Sequence, residues 1–188
     1  MAAITVDGPI PFASGWVRAR LMRYQKIVIV LVLLAPGLGA CASPQAMTVA
    51  AGTAGSSLAK YRNAVAVRSV SGGQVMNMAT VPGVPNEPLK QALESTLAGH
   101  GYLAKSGTPK FYLDVKILDL DRPMRGMTLN ATADVAYEVA NRAAVERYHI
   151  VTTGSATFSD SPIAIDRIRI ANERAMHENI EQFLRALR

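Results

Sequence analysis

Cys41 is the residue whose chemistry depends most clearly on its position, because it is the only cysteine in the chain. Leu38, Gly39 and Ala40 precede it directly. Small side chains beside a thiol leave the sulfur accessible to a reagent and allow an enzyme to bind the extended backbone. A lone cysteine has no intramolecular disulfide partner, and an ordinary buried thiol is the alternative interpretation. The position of Cys41 favours covalent modification of its sulfur.

The other residue types that could do chemistry are scattered. His100, His149 and His177 fall in different segments, and none lies four residues from a second ligand, so a zinc site has little basis. Asp119 and Asp121 could form a carboxylate pair about 7 Å apart on a strand, but the Arg-Pro pair that follows is typical of a solvated turn. The serines lack the G-x-S-x-G pattern of a nucleophile elbow. We therefore expect no enzyme activity, no metal and no cofactor.

An apolar run stands just before Cys41. Ile27–Ala35 contains nine apolar residues in succession and follows several basic side chains. A helix of that length rises about 14 Å, too little for a hydrocarbon core of about 30 Å, so the run is typical of a secretory signal peptide. We predict a signal peptide over 1–40. Met22 opens this pattern better than Met1, which predicts that 1–21 is an upstream extension; a long basic region starting at Met1 is the alternative.

The motif Leu38-Gly39-Ala40-Cys41 resembles the lipobox of bacterial lipoproteins. The resemblance implies cleavage between Ala40 and Cys41, a diacylglycerol on the thiol, and a fatty acyl chain such as palmitate on the new amine. Three acyl chains, at about 0.8 kcal/mol per buried CH₂, would make a lasting membrane anchor. Ala42 after the cysteine is consistent with sorting to the outer membrane. We expect a bacterial envelope protein that is anchored there and faces the periplasm.

Composition limits the class of the remaining chain. The sequence is 49% hydrophobic and 18% charged, which excludes a disordered tail, and its single cysteine excludes a disulfide-stapled mini-protein. The predicted cleavage after residue 40 would remove four basic side chains and one acidic side chain, so the net charge would fall from +6 to +3. That mild charge is compatible with anionic lipids or glycans and gives no reason to expect nucleic acid as a partner. We read 41–59 as a flexible lipidated tether and 60–188 as one periplasmic domain.

The domain is predicted to follow the order β-α-β-β-β-α. A strand over 63–70 precedes a helix that begins at Asn86 with a Leu89, Leu93 and Leu97 stripe. Three alternating strands follow, over 111–117, 127–139 and 148–158. The break in alternation at Ile117-Leu118 indicates either a bulge or the end of the first strand, and the last two strands form a hairpin. A final helix opens at Ser161-Pro162 and runs to the C-terminus. The pattern predicts an α+β fold in which both helices cover one face of a four-stranded, mainly antiparallel sheet.

A family resemblance covers about residues 60–188. Its features are Leu93 through Gly101-Tyr102, the strand at Phe111, and Gly126 before a long Thr/Ala-alternating strand. This arrangement resembles YajG-type bacterial envelope lipoproteins and, more distantly, the lipoprotein of the lipopolysaccharide translocon. The resemblance implies an anchored accessory protein without a catalytic site. It supplies no functional residues.

The uncovered sheet face is the candidate binding surface. Alternation places polar side chains on it, and we select Tyr112, Lys116, Thr128, Asn130, Thr132 and His149. A solvated sheet face without a partner is the alternative. The arginines of the last helix could form a lipid-phosphate patch, but their spacing favours ion pairs of Arg169 with Glu173, Arg174 with Glu178 and Glu181 with Arg185.

The leading functional hypothesis is a non-enzymatic envelope lipoprotein. Its periplasmic domain would bind an unknown envelope protein or glycolipid in outer-membrane assembly or maintenance. The alternatives are a lipid carrier, which an apolar cavity would favour, and an envelope hydrolase or transferase, which a cleft with converging polar groups would favour.

Overall fold

The computed structural model describes residues 42–52, 58–74, 83–105, 107–121 and 126–187. The predicted signal peptide and Cys41 therefore lie outside the described residues. The elements, in chain order, are helix α1 (Pro44–Met47), a 3₁₀ turn (Ala59–Tyr61), strand β1 (Val65–Ser71), helix α2 (Asn86–Gly99), strands β2 (Phe111–Asp121), β3 (Leu129–Ala140) and β4 (Val145–Ala156), and helix α3 (Ala164–Ala186).

The four strands form one sheet in the order β1-β2-β3-β4. β1 runs parallel to β2, while β2, β3 and β4 are antiparallel neighbours. The predicted α+β fold with a mainly antiparallel sheet is confirmed. Of the two alternatives at Ile117-Leu118, the bulge is present, because the pairing of β2 with β3 shifts between Ile117 and Asp119. In the β3–β4 turn, Oδ1 of Asn141 accepts hydrogen bonds from the amides of Ala143 and Ala144.

Helix α2 has the predicted buried stripe of Leu89, Leu93 and Leu97. Gly101 follows the helix with φ +72, a left-handed conformation that glycine adopts without a Cβ clash. The start of the helix differs from the prediction. Asn86 lies inside the first turn, and its Oδ1 accepts a hydrogen bond from the amide of Gly73, so this side chain ties the loop after β1 to the helix instead of capping it.

Helix α3 crosses β4 at very close range. A Cβ added to Gly154 would lie 2.3 Å from the carbonyl oxygen of Ala171 and 2.3 Å from the amide nitrogen of Ala175. The lack of a side chain at Gly154 therefore allows the helix backbone to approach the sheet this closely. The helix begins at Ala164 rather than at the Ser161-Pro162 step, with Ile163 at the N-cap position.

Both helices cover the same face of the sheet, as predicted. Leu97 of α2 and Phe183 of α3 line one cavity together with Leu113 of β2 and Val139 of β3. That cavity has a volume of about 10 Å³, about the space of a single water molecule. Side chains therefore fill the space between the two helices and the sheet at this point.

Part of the segment predicted as a tether is built into the domain. Ala42, Met47 and Val49 are buried, and α1 begins at Pro44. The Ser43 amide donates a hydrogen bond to the Glu173 carboxylate of α3 over 2.7 Å. The Val49 amide donates to the Thr96 hydroxyl of α2 over 3.0 Å. Residues 42–49 are therefore packed on the domain and do not form a free tether, while 53–57 lie outside the described residues.

Within the described ranges, no helix has both the length and the hydrophobicity that a membrane crossing requires.

Candidate binding surface

The sheet face opposite the helices is the predicted binding surface, and it is largely exposed. Strand register arranges its side chains in rows about 7 Å apart. Tyr112 pairs with Ala140 at the turn end, and Lys116, Ala136 and His149 form a row near the middle. Thr132 lies opposite Thr153 toward the far end. The outward alternation of β2, β3 and β4 is therefore as predicted.

The six selected residues do not form one site. Lys116 and His149 flank Ala136 on neighbouring strands. Tyr112 lies near the β3–β4 turn, whereas Asn130 lies near the start of β3 opposite Ser155. Thr132 lies two residues after Asn130 on the same strand, and the exposed Thr128 directly precedes β3. The structure brings the selected residues together in two groups, one between the β3–β4 turn and the middle of the face and one near the start of β3.

Two adjoining open depressions occupy the half of the face nearer the β3–β4 turn. The first has a volume of about 520 Å³ and is lined by Arg68, Lys110, Tyr112, Ala140 and Arg142, among others. The second has a volume of about 550 Å³, and its lining includes Asp114, Lys116, Ala136, Glu138, Arg147 and His149. Alanines of β3 contribute to both, which leaves space between the long side chains of the neighbouring strands.

Ion pairs across the strands arrange the walls of the depressions. Arg68 pairs with Asp114, Arg147 pairs with Glu138 over 3.0 Å, and His149 contacts Asp134. The guanidinium of Arg68 donates hydrogen bonds to Asp114 and holds the pKa of that carboxyl below its usual value. Its carbon also lies 5.7 Å from the centre of the Tyr112 ring, within the range of a cation–π contact.

Three further cations give the depressions a positive balance. Lys110, Lys116 and Arg142 line them, and none of these makes an ion pair with another described residue. The opposite end of the face is acidic, because the bulge places Asp119 beside Asp134 and Asp121 beside Thr132. An anionic group would therefore be attracted to the turn end of this face.

Histidines and carboxylates do not converge on a catalytic or metal-binding arrangement in the described ranges. The His100 ring stacks on Tyr102 with centroids 5.9 Å apart, His149 contacts Asp134, and His177 lies on α3. Within the part of the chain that the structure describes, no three His, Cys, Asp or Glu side chains lie close enough to hold a metal ion.

The arginines of α3 are mostly engaged, and one predicted partner is wrong. Arg169 pairs with Glu173 over 3.0 Å, and Arg185 pairs with Glu181, as their spacing predicts. Arg174 instead pairs with Asp160 over 2.6 Å, because the turn after β4 brings this carboxylate alongside the helix. Glu178 accepts a hydrogen bond from Gln182.

One cluster was not predicted. The Glu146 carboxylate accepts hydrogen bonds from the hydroxyls of Tyr148, over 2.6 Å, and Tyr61, over 3.2 Å, while the Lys60 ammonium lies 3.4 Å away. The Tyr148 hydrogen bond contributes most to lowering the pKa of Glu146. The cluster joins the 3₁₀ turn to β4 across more than eighty residues of sequence, so no local spacing of residues predicts it.

Comparison with known proteins leaves the family open. No family model and no curated protein sequence matches the chain. Similar solved structures include protein XCC0632 of Xanthomonas campestris, from the DUF330 family, with 10% identity and a TM-score of 0.44 over 67% of this chain and 85% of that one. A Caulobacter crescentus protein described provisionally as a lipoprotein has 16% identity and a TM-score of 0.39 over 51% and 74%.

The hypothetical protein CT253 of Chlamydia trachomatis has 12% identity and a TM-score of 0.43 over 65% of this chain and 93% of that one. All three TM-scores lie below 0.5, so these similarities carry no conclusion on family or function. None of the three is described as a YajG-type protein.

Proposed function

We propose that the chain is a lipid-anchored protein of the bacterial envelope, without catalytic activity, whose domain binds a partner protein or an envelope glycolipid. Its role would be in the assembly or maintenance of the outer membrane. The proposed anchor is a diacylglyceryl group on Cys41, and the support for it is the basic segment, the short apolar run and the Leu38-Gly39-Ala40-Cys41 motif. Cys41 itself lies outside the described residues.

The observation that carries the binding proposal is the uncovered sheet face with its two adjoining depressions. Each has the volume of a small-molecule or side-chain binding cleft, about 300–1,000 Å³. Lys110, Lys116 and Arg142 supply positive charge, and Tyr112 supplies an aromatic ring. Such a surface suits a partner that presents acidic or phosphate groups.

The rival proposals have less support. A lipid carrier needs an apolar cavity for an acyl chain, and the cavity between Leu97 and Phe183 measures about 10 Å³. An enzyme needs a base or nucleophile in a cleft, whereas the described carboxylates that line the depressions, Asp114 and Glu138, are held in ion pairs with arginines. We therefore favour the binding role.

Photo-crosslinking in living cells tests the proposal. A photoreactive amino acid at Lys116, on the outer sheet face, should give a discrete adduct whose mass identifies a protein or a glycolipid. The matched control is the same amino acid at Ala98, which is exposed on α2. Equal adduct formation at the two positions, or adducts at Ala98 alone, would rule out the outer sheet face as the binding surface.

A further inference from the structure

We propose that the domain lies directly on the membrane, with one particular end of the sheet against the lipid. This end, called here the apolar end, is where β3 begins, β4 ends and α3 begins. It carries Met127, Phe158, Ile163 and Ile165. The inference rests on the proposed anchor at Cys41 and adds which surface of the domain meets the bilayer.

The apolar end concentrates exposed hydrophobic surface. Met127 is 75% exposed, Phe158 52%, Ile163 56% and Ile165 51%. Leu129 pairs with Ala156 as the last residue pair of the β3–β4 ladder at this end, so Met127 and Phe158 each lie two residues beyond it. Isolated exposed apolar side chains are common on soluble proteins, whereas several at one place mark an interaction surface.

Polar contacts fix the turn that carries Phe158 and Ile163. The buried Arg167 donates hydrogen bonds to the carbonyl oxygens of Ser161 and Pro162, and its guanidinium carbon lies 4.0 Å from the centre of the Phe158 ring. The Ile163 amide donates to the Ser161 hydroxyl. The turn before α3 is therefore bonded to the helix, and its apolar residues cannot collapse onto the core without breaking those bonds.

The anchored end of the chain leaves the domain toward the same end. Ala42 is only 3% exposed, so a lipid on the residue directly before it is separated from the packed domain by one peptide bond. Val49 is hydrogen-bonded to Thr96, near the end of α2. Ser43, which precedes Val49 in the chain, is hydrogen-bonded to Glu173 in the first half of α3. α2 ends, and α3 begins, at opposite ends of the sheet, so this path approaches the apolar end.

The helix gives the scale of this path. At a rise of about 1.5 Å per residue, Glu173 lies about 14 Å from the start of α3 and about 20 Å from its end. Two residues of extended chain add at most about 7 Å. With so short a connection, the acyl chains hold α3 close to the bilayer, and the nearer end of that helix is the one with exposed hydrophobic side chains.

Among the residues that the structure describes, the charges near this end favour insertion of apolar side chains over attraction to lipid phosphate, because the neighbouring end of the outer face carries Asp119 and Asp121. Arg169 is paired with Glu173, and Arg174 with Asp160. Arg167 is buried against the turn. Contact with the lipid should therefore persist at high salt, since screening weakens the repulsion between the carboxylates of the outer face and anionic lipid and leaves apolar burial in place.

Tryptophan fluorescence tests the orientation in the mature, full-length, lipidated protein. Trp16 is the only tryptophan in the sequence and lies in the predicted signal peptide, so a single introduced tryptophan would be the sole reporter. Ile163→Trp and Phe158→Trp place it at the apolar end. Val145→Trp is the matched control, because Val145 is 46% exposed at the opposite end of the sheet, where β4 begins.

Each variant is reconstituted into vesicles of phosphatidylethanolamine and phosphatidylglycerol, with and without brominated acyl chains. We expect the brominated chains to quench most of the fluorescence of Ile163→Trp and Phe158→Trp, at low and high salt alike. The fluorescence of Val145→Trp should not be quenched. Quenching no stronger at the apolar end than at Val145, in protein whose mass shows a lipidated Cys41, would overturn the orientation and leave the anchor intact. An unmodified Cys41 would overturn the anchor and the inference together.

Discussion

The hydroxyl of Tyr137, on β3, donates a hydrogen bond to the side-chain oxygen of Asn179, on α3, over 2.8 Å inside the core. The Asn179 amide nitrogen donates in turn to the carbonyl of Ile150 and to the hydroxyl of Thr152. The Thr152 hydroxyl donates to the carbonyl of Ala175. This buried network fixes the position of α3 on the sheet, because each member needs its partner to replace lost water.

Removal of the Asn179 side chain should destabilise the domain strongly. Asn179→Leu leaves the Tyr137 hydroxyl without its acceptor, at a cost of about 1–3 kcal/mol for the unpaired group, and takes one donor from the Thr152 hydroxyl, which keeps its bond to the carbonyl of Ala175. Chemical denaturation measures the change in free energy of unfolding. In the double variant Tyr137→Phe with Asn179→Leu, the loss should be smaller than the sum of the two single losses. Additive losses would mean that the two side chains are not coupled.

The contact between β4 and α3 predicts that Gly154 accepts no larger residue. Gly154→Ala would force a methyl group against the backbone of Ala171 and Ala175, and overpacking of this kind costs about 1–3 kcal/mol or more. Gly99→Ala is the control, since a Cβ there meets nothing within 4 Å. Thermal denaturation should show a marked loss for the first variant and little change, or a small gain, for the second. Equal melting temperatures would contradict the close approach.

Leu93 and Leu113 should carry a large share of the stability. Both are buried, one in the middle of the α2 stripe and one near the start of β2. Truncation of either to alanine should cost about 2–5 kcal/mol, through lost burial and the cavity left behind. Leu118→Ala is a suitable control, because Leu118 sits at the bulge and is 48% exposed. If both core variants unfold at the denaturant concentration of the unchanged protein, the assignment of the core is wrong.

Acid should weaken the contact between the turn after β4 and α3. The hydrogen bond from Arg174 lowers the pKa of Asp160 to about 2, below its unfolded value of about 3.9. A group with a depressed folded-state pKa stabilises the fold above its unfolded pKa, and this contribution is lost as the pH falls from about 4 to about 2. The difference in melting temperature between the unchanged protein and Asp160→Asn should therefore shrink across this range. Asp121→Asn removes an exposed carboxylate without breaking this pair, so a similar shrinkage there would refute the assignment.

Lysines at the acidic end of the outer face test whether that end contributes to binding. Thr128→Lys with Thr132→Lys should change the free energy of unfolding by less than about 1 kcal/mol, since both positions are on the exposed side. Partner capture from detergent-solubilised envelope should fall. Undiminished capture would confine the binding surface to the two depressions near Lys116 and Tyr112, or place it elsewhere on the domain.

Local periodicity was enough to predict most of the fold. The two-residue alternation of β2, β3 and β4 and the four-residue spacing of Leu89, Leu93 and Leu97 are set by the geometry of strand and helix themselves, so they are visible in a single sequence. The outer face followed from the same alternation. Its division into two depressions did not, because it depends on strand register and on ion pairs such as Arg68 with Asp114.

The missed features all depend on long-range contacts. Met47 and Val49 stand in a segment of small and polar residues without a period, and they are buried only because α2 and α3 form a groove around them. The four-residue spacing predicted an ion pair of Arg174 with a residue of its own helix, but Arg174 pairs with Asp160 in the turn after β4. Tyr61 and Glu146 are brought together by the closure of the whole domain.

The bond between Ser43 and Glu173 also has a consequence for the order in which the molecule is built. It closes a loop of 130 residues, joining the first described helix to the last. In the export that we propose, the N-terminal segment would emerge first, and the acceptor for its amide would not exist until α3 had been synthesised and translocated. Ala42 and Ser43 are therefore free of the fold for the whole of that interval. A peptidase or acyltransferase would reach an extended chain only within that period, because completion of the domain buries Ala42, the residue that follows Cys41.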